Sequence, residues 1–297
     1  MTPPSELQDF VFRHRRLFIL TGAGCSTDSG IPDYRDADGN WKRSPPMTYQ
    51  AFMKDPAARR RYWARSLIGW RRFGGAQPNN THRALARLEE MDRSELLLTQ
   101  NVDRLHQAAG SSRVIDLHGR LDTIRCTGCG QHSQRGEFQH ELDRLNPEWT
   151  ELTAATAPDG DADIETSAFA NFIVPPCPVC GGILKPDVVF FGENVPRARV
   201  EAAEQHLAQA DAMLIVGSSL MVYSGFRFVQ AARRAGKPIA AINLGKTRAD
   251  EMLALKVEQS CEAALGFLLG SADTGATFGE PNGARKLCPS ERLSEEC

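Results

Sequence analysis

The sequence lacks long hydrophobic runs and any excess of charge of one sign. No apolar run reaches the roughly 18 residues that a membrane-spanning helix needs. Residues 1–16 include Glu6 and Asp9 and have no apolar core, so we expect neither a secretory signal nor a transit peptide. The 35 basic and 37 acidic side chains leave a net charge of −2, which provides no field to attract nucleic acid. We therefore expect a cytoplasmic protein that binds neither membranes nor nucleic acid.

The glycine-rich segment 21–35, TGAGCSTDSGIPDYR, lacks the third glycine of a dehydrogenase fingerprint. Gly22 and Gly24 supply the first two glycines, but Thr27 stands at the third position, and no strand-end carboxylate occurs near Lys42. A site for ordinary hydride transfer is therefore disfavoured. The front half of the motif still lets the backbone approach a pyrophosphate, although a plain strand-to-helix turn has the same glycines.

The chain instead alternates apolar runs with segments of helical spacing. These features predict strands at 17–20, 96–98, 114–117, 188–191, 213–216 and 239–242, and helices at 197–210 and 226–235. Strands that alternate with helices indicate an α/β fold, with a Rossmann-like parallel sheet covered on both faces.

Two segments interrupt this alternation and predict a smaller inserted domain. We expect a Rossmann-like core from about 1–36, 94–120 and 188–270. The small domain combines a helical insertion, 37–93, with a second insertion, 121–187, that contains a polar surface loop at 153–167. The tail 271–297 is rich in Gly, Ser and Glu and is predicted to be disordered.

Four of the eight cysteines form two C-x-x-C pairs, each followed by glycine. Cys126 and Cys129 form the first pair, and Cys177 and Cys180 the second. Such knuckles are typical of tetrahedral thiolate ligation of one structural Zn²⁺, with no position open for water. A redox dithiol usually occurs once, at a helix N-terminus, and the acidic stretch 159–165 argues against a ribbon that reads nucleic acid.

Short polar stretches follow the predicted strands at 99–103, 117–119, 217–220 and 243–245. Each stretch alone is compatible with a strand-end cap, but together they predict a polar crevice at the carboxyl edge of the sheet. His118 lies in this crevice beside a glycine, and histidine is a natural proton acceptor near neutral pH.

The order of these motifs over residues 8–270 resembles the sirtuin family of NAD-dependent protein lysine deacylases. The motifs are the glycine turn, TQNVD at 99–103, His118-Gly119, the cysteine pairs, KPDVVFFGE at 185–193, GSSL at 217–220 and NLG at 243–245. Tyr34, Val102 and the stretch 61–70 are most similar to the class II branch.

The resemblance implies NAD as co-substrate and one structural zinc, with residue roles as follows. His118 and Asn101 would be catalytic, and Val188, Val189, Phe190, Phe191, Gly192 and Glu193 would bind the acyl-lysine peptide. NAD would contact Gly22, Ala23, Gly24, Asp33, Tyr34, Arg35, Gln100, Asn101, Val102, Asp103, Gly217, Ser218, Ser219, Asn243, Leu244, Gly245 and Cys261. The expected products are free lysine, nicotinamide and O-acyl-ADP-ribose, with His118 accepting a ribose proton.

Several alternatives remain open at this stage. Tyr62 and Arg65 have the spacing with which acidic-acyl sirtuins hold a substrate carboxylate, but a solvated basic helix face has the same pattern. Cys25 beside the NAD loop is either a reactive thiol or a small buried apolar residue. Protein mono-ADP-ribosylation on the same fold is the alternative activity, and a non-catalytic zinc-ribbon module is a third reading. The sequence does not fix the oligomeric state and is compatible with a monomer.

Overall fold

The larger of two sheets is parallel throughout and forms the centre of the molecule. The structure is a computed structural model that describes residues 5–42, 46–152, 159–162, 164 and 167–270. The sheet has the strand order β3-β2-β1-β7-β8-β9. Its strands are β1 (Leu17–Thr21), β2 (Ser94–Thr99), β3 (Val114–Asp116), β7 (Ala212–Val216), β8 (Ile239–Ile242) and β9 (Leu255–Val257). This sheet confirms the predicted α/β, Rossmann-like fold.

The central strand β1 pairs with β2 on one side and β7 on the other, so the chain winds outward in both directions from it. In a sheet of this kind a crevice opens beyond the carboxyl ends of the strands at the point of reversal. The fold therefore directs the loops after β1, β2 and β7 toward one another.

Helices cover both faces of the large sheet, as continuous apolar strands require. On one face Ile19, Leu97 and Leu214 pack with residues of α1, α4 and α9, and on the other Phe18 stacks on Phe228 of α8 with 5.9 Å between ring centroids. The helices are α1 (Ser5–Arg13), α2 (Tyr49–Lys54), α3 (Pro56–Phe73), α4 (Asn80–Glu90), α5 (Leu105–Ala108), α6 (Arg135–Leu145), α7 (Arg197–Gln209), α8 (Tyr223–Arg234) and α9 (Cys261–Leu265).

The second sheet is a three-stranded antiparallel one, in the order β5-β4-β6. It consists of β4 (Gly119–Cys126), β5 (His132–Gln134) and β6 (Leu184–Val188). Trp63 of α3 packs against Phe138 of α6 with centroids 4.7 Å apart, and Ile124 of β4 lies in the same apolar cluster. Helices and cysteine-bearing strands thus share one core.

Three predictions about the chain's organisation need correction. The apolar run 188–191 forms no strand of the large sheet, because Val188 ends β6 and pairs with Gly119 of β4. Within the insertion 37–93, α4 packs its residues Ala84 and Leu88 on the large sheet rather than on the small one. In the loop 153–167, Asp161 and Ala162 are buried rather than on the surface. The predicted disordered tail 271–297 lies outside the described residues.

None of the helices that the structure describes combines the length and hydropathy needed to cross a bilayer.

Candidate active site

A cavity of about 390 Å³ opens at the carboxyl edge of the large sheet and extends to the small sheet. Most of the residues predicted for the site line it. From the large-sheet loops these are Gly22, Ala23, Gly24, Asp33, Tyr34, Arg35, Gln100, Asn101, Val102, Asp103, His118, Gly217, Ser218, Ser219, Asn243 and Leu244. Tyr62, Val188, Val189, Phe190, Phe191, Gly192 and Glu193 line the other side.

The glycine turn after β1 packs backbone against backbone on the loop after β7. The N–H of Gly22 donates to Val216 O at 3.1 Å, and that of Gly24 to Gly217 O at 2.9 Å. A Cβ on Gly24 would lie 2.9 Å from the Cα of Gly217, and Gly217 itself has φ +61°, so both positions require glycine. The glycines therefore serve close loop packing as well as any ligand.

Asn101 and Asp103 are fixed by a buried network with Ser26. The Asn101 amide donates to Gly22 O at 3.1 Å and to Ser26 Oγ at 3.0 Å, and the Ser26 hydroxyl donates to Asp103 at 2.7 Å. Burial raises the pKa of Asp103, while bonds from Leu105 N–H and Ser26 oppose that rise. The network holds an amide and a carboxylate rigidly at the cavity wall.

Gln100, in the loop after β2, contacts both the loop after β7 and the turn between β3 and β4. Its side-chain amide donates to Ser218 Oγ at 2.7 Å, and its backbone carbonyl lies 2.9 Å from Nδ1 of His118. Because a carbonyl oxygen only accepts hydrogen bonds, Nδ1 of His118 carries the proton. Nε2 is therefore the nitrogen of the neutral ring that can accept a proton.

Nε2 of His118 accepts a hydrogen bond from Ser224 Oγ at 2.7 Å. Burial lowers the pKa of His118 to about 4, although the bond to Gln100 O opposes the shift. His118 is therefore neutral at pH 7, with its basic nitrogen at the cavity wall. This is the state that a proton acceptor requires.

The segment 188–193 forms the edge of the cavity next to His118. The N–H of Val189 donates to His118 O at 2.7 Å, and Tyr49 N–H donates to Phe191 O at 2.9 Å. The buried Lys185 ammonium pairs with Glu193 at 3.1 Å, and Glu193 also accepts from Phe190 N–H at 2.9 Å. These contacts fix the backbone of the segment next to the imidazole.

Gly245, Cys261 and Arg65 are predicted site residues that do not line the cavity. Gly245 packs against Ala37, and Cys261 is buried next to Cys25. The reading of Cys25 as an exposed, low-pKa thiol is wrong, because Cys25 is fully buried, and burial together with the Cys261 thiol raises its pKa well above the usual range. It is a small residue of the core beside the glycine turn.

The four cysteines of the C-x-x-C pairs come together at the ends of β4 and β6. Their sulfur atoms all lie within 4.8 Å of one another, with Cys126 and Cys180 3.5 Å apart and Cys129 and Cys177 3.8 Å apart. Four thiolates at such separations suit tetrahedral zinc, whose Zn–S bonds are about 2.3 Å. A Cβ on Gly182 would lie 3.1 Å from two of these sulfurs, which explains the glycine after the second pair.

The model of the Sir2 family matches residues 22–224, more than half of the chain. The chain belongs to the Sir2 family. This match confirms the resemblance to sirtuins, of which Sir2 is the founding name, but it does not separate their branches. Membership of the class II branch therefore stays a prediction.

Relatives cover most of this Sir2-family chain at high identity. A protein from Xanthomonas campestris pv. campestris (strain 8004), named NAD-dependent protein deacetylase, is 71% identical over 262 residues, 88% of this chain and 89% of its own length. NAD-dependent protein deacetylase 2 of Bradyrhizobium diazoefficiens is 70% identical over 264 residues, 89% of this chain and 97% of that protein. A solved Sir2 structure with a p53 peptide and NAD⁺ superposes with a TM-score of 0.70 at 30% identity, covering 89% of this chain and 95% of that one.

Sequence reasoning missed several residues at the Sir2-family cavity. Ser26 lies within the glycine-rich segment 21–35, so its neighbours in the sequence could have marked it as a site residue. Ser224, at the start of α8, and Asp159, in the loop before the second cysteine pair, reach the cavity only through the fold. No local pattern marks either of them.

Proposed function

We propose that this protein is an NAD-dependent protein lysine deacetylase. The observation that carries the proposal is the neutral His118, which lines one cavity together with the glycine turn and the segment 188–193. The names of relatives at 62–71% identity agree with it.

The cavity residues fit NAD by the chemistry of their donors. Ala23 and the hydroxyls of Ser218 and Ser219 line the space where a pyrophosphate would be held, beside the N–H groups of Gly22 and Gly24 that bind carbonyls of β7 and its loop. Asn101 and Asp103, fixed by Ser26, would hold the nicotinamide and its ribose, and Asn243 with Leu244 would contact the adenosine half. NAD, when bound, supplies a ribose carbon with nicotinamide as leaving group and hydroxyls that take over the acyl group.

The protein's own contribution is to position the substrate peptide and to accept one proton. The segment 188–193 presents main-chain groups to an extended peptide, so that the acyl-lysine enters beside Tyr62 and Phe190. His118 accepts a proton from a ribose hydroxyl at Nε2, while Gln100 O keeps the ring in the required tautomer. Ser224 Oγ, which hydrogen-bonds to Nε2 in this structure, would have to give up that bond for a ribose hydroxyl to reach the nitrogen.

The four-cysteine cluster would hold one structural zinc. Closed four-thiolate ligation leaves no position for water, so the metal has a folding role rather than a catalytic one. Thiols arranged for metal ligation are stable in a reducing compartment, and we place the protein in the cytoplasm on that ground. Its partners are proteins that carry acylated lysines, and its oligomeric state stays open.

Mass spectrometry of the products tests the activity. Purified protein is incubated with NAD and an acetyl-lysine peptide, and we expect nicotinamide, the free-lysine peptide and O-acetyl-ADP-ribose in equal amounts. Without peptide, no ADP-ribose product should form. If ADP-ribose from labelled NAD stays attached to protein and the peptide keeps its acetyl group, the deacetylase proposal fails and ADP-ribosyl transfer replaces it.

A further inference from the structure

The hydroxyl of Ser224 is bonded to the basic nitrogen of His118 at the wall of the cavity. Oγ lies 2.7 Å from Nε2, and both residues line the cavity. Because Nδ1 carries the ring proton, Nε2 only accepts, and the serine is the donor of this bond. Among the described residues, His118 is the one partner of that hydroxyl. A serine oxygen also has two lone pairs that accept hydrogen bonds, so Ser224 can still accept one from a ligand.

The backbone that carries Ser224 is fixed by the packing of α8. Ser224 is the second residue of this helix, and the N–H of Phe226 donates to Val222 O at 3.2 Å in the same turn. Phe226 is buried, and Phe228 stacks on a phenylalanine of β1, so the helix is anchored on the large sheet. The hydroxyl can therefore leave His118 only by rotation about the Cα–Cβ bond of the serine.

Gln100 contacts both members of this pair. Its carbonyl oxygen accepts from Nδ1 of His118 at 2.9 Å. Its side chain lies against the first turn of α8, since a Cβ built on Gly225 would be 2.5 Å from Oε1 of Gln100. That side chain is itself held by a bond of 2.7 Å to Ser218 Oγ. The imidazole and the start of α8 thus share one fixed support.

A ribose hydroxyl has two routes by which its proton can reach Nε2. In the direct route the ribose oxygen replaces Ser224 at the nitrogen, and the serine side chain rotates away and loses the bond. In the indirect route the ribose hydroxyl donates to Ser224 Oγ, and the bond from Oγ to Nε2 stays in place. The indirect route keeps the bonds of the structure and moves no side chain, so the arrangement favours it.

We propose that Ser224 is a second catalytic residue, which relays the proton of the ribose hydroxyl to Nε2 of His118. The ribose O–H bond breaks and its proton bonds to Oγ, while the original O–H bond of Ser224 breaks and that proton bonds to Nε2. Ser224 ends neutral, His118 becomes positively charged, and the ribose oxygen uses the freed electron pair to bond the acyl carbon. The inference rests on the proposed deacetylase function.

Ser224→Ala tests the relay, because it removes the hydroxyl and leaves Nε2 open. We expect the single-turnover rate of acetyl-peptide deacetylation to fall at least about tenfold, part of the 10²- to 10⁴-fold that general base catalysis contributes. Ser224→Thr keeps a hydroxyl and should stay within about threefold of the parent rate. Ser133→Ala, on β5 and away from the cavity, should behave like the parent protein.

Three further readouts separate a relay from a structural role of Ser224. The melting temperature and the dissociation constant for NAD should be the same in Ser224→Ala and the parent protein. Exchange of labelled nicotinamide into NAD, measured with the acetyl peptide present, should continue in Ser224→Ala, because the ribose hydroxyl acts only after nicotinamide has left. Loss of exchange together with deacetylation would show that Ser224 acts in binding and would contradict the relay.

Solvent isotope measurements count the protons that move in the step. Single-turnover deacetylation by the parent protein is followed in mixtures of H₂O and D₂O. A relay moves two protons together, so we expect the rate to fall along a bowed curve as the deuterium fraction rises. A straight line would indicate that one proton moves and would contradict the relay.

Two kinetic results would also overturn the proposal. The first is a Ser224→Ala rate that rises, or that falls by less than about tenfold. The second is a Ser224→Thr rate as low as that of Ser224→Ala, which would show that the hydroxyl is not the group that matters. If the parent protein itself does not deacetylate the acetyl peptide with NAD, the proposed function fails, whereas parent turnover that is insensitive to Ser224→Ala contradicts only the relay.

Discussion

His118 gains its chemical state from its neighbours rather than from its type. An exposed imidazole has a pKa near 6.5 and is partly charged at neutral pH. Burial keeps this ring neutral, and the bond to Gln100 O sets its tautomer. Asn101 and Asp103 depend on neighbours in the same way, since Ser26 fixes both. At the scale of residues, the site works through side chains whose orientation is settled before a ligand arrives.

Two further buried histidines, His82 and His106, should make the stability of the fold sensitive to acid. Both are buried, with ring centroids 4.8 Å apart, and burial lowers the pKa of His82 to about 4 and that of His106 well below its usual range. The unfolded chain, with histidine pKa values near 6.5, then binds more protons than the native state as the pH falls. Stability is fully present above pH 6.5 and declines toward pH 4.

We expect the free energy of unfolding to fall between pH 7 and pH 4. His82 contributes up to roughly 3 kcal/mol of that loss, and His106 and His118 add contributions of the same sign. Urea titrations at several pH values measure it. His82→Asn should flatten the dependence, whereas His140→Asn, at an exposed position on α6, should leave the slope unchanged. A stability that is constant across this range would contradict the account.

At the scale of elements, α3 forms part of the cavity wall through Tyr62 and Phe73. It has an aspartate N-cap, Asp55, whose side chain accepts from Ala57 N–H at 2.8 Å, followed by proline at its first position. Gly69 lies inside this helix, where glycine normally costs stability, but the approach of the 159–162 backbone leaves no room for a Cβ. The glycine is explained by packing.

Gly69→Ala should therefore destabilise the protein by about 2 kcal/mol or more, through overpacking against the loop backbone. Gly136→Ala is the matched control, since Gly136 is also helical and its added Cβ meets nothing within 4 Å. That variant should be neutral or more stable by up to about 1 kcal/mol. Denaturant unfolding of both variants provides the measurement, and an equal response of the two would refute the packing argument.

Sequence patterns predicted elements well where burial is uniform. The runs at 17–20, 213–216 and 239–242 are strands of the large sheet. Both faces of these strands are buried, so their sequences are continuously apolar, and this pattern is visible in the sequence. The run 188–191 is apolar for another reason. Val189, Phe190 and Phe191 line the cavity, and Phe190 also packs in the apolar cluster next to the small sheet. Composition alone cannot separate a strand of a sheet from a cavity wall.

The parts of the candidate site that belong to short sequence motifs could be predicted, whereas isolated residues brought in by the fold could not. The glycine turn, TQNVD, His118 and the cysteine pairs are short local motifs. The structure brings the first three to one cavity and the four cysteines to one cluster. Ser224 and Asp159 are isolated polar residues that reach the cavity through long-range packing. The contact of Cys25 with Cys261 likewise depends on long-range packing. Nothing in their own neighbourhoods indicates such contacts.

At the scale of the whole molecule, β4 and β6 connect the cysteine cluster to the cavity. β4 runs from Gly119, beside His118, to Cys126, and β6 runs from Leu184, close after the second cysteine pair, to Val188. The two strands pair with each other, and one further bond links Val189 to His118 O. The cysteine cluster thus lies at one end of the two strands whose other ends carry His118 and the segment 188–193.

Removal of zinc should therefore cost both stability and activity. We expect about one zinc per chain, and a chelator or Cys177→Ser should lower the melting temperature by at least about 5 °C and reduce turnover more than tenfold. Cys25→Val, a substitution at a buried cysteine outside the cluster, should retain the metal. Metal content by mass spectrometry and thermal unfolding measure these effects; full activity without metal would show that the knuckles do not support the site.

The most direct test of the account compares NAD binding with turnover in His118→Ala. We predict that kcat/KM for an acetyl peptide falls at least about 100-fold, as loss of a general base does. The dissociation constant for NAD should change less than about threefold, because a proton acceptor adds little to ground-state binding. If His118→Ala turns over like the parent protein, or if its NAD affinity collapses together with the rate, His118 is not the proton acceptor and the account is contradicted.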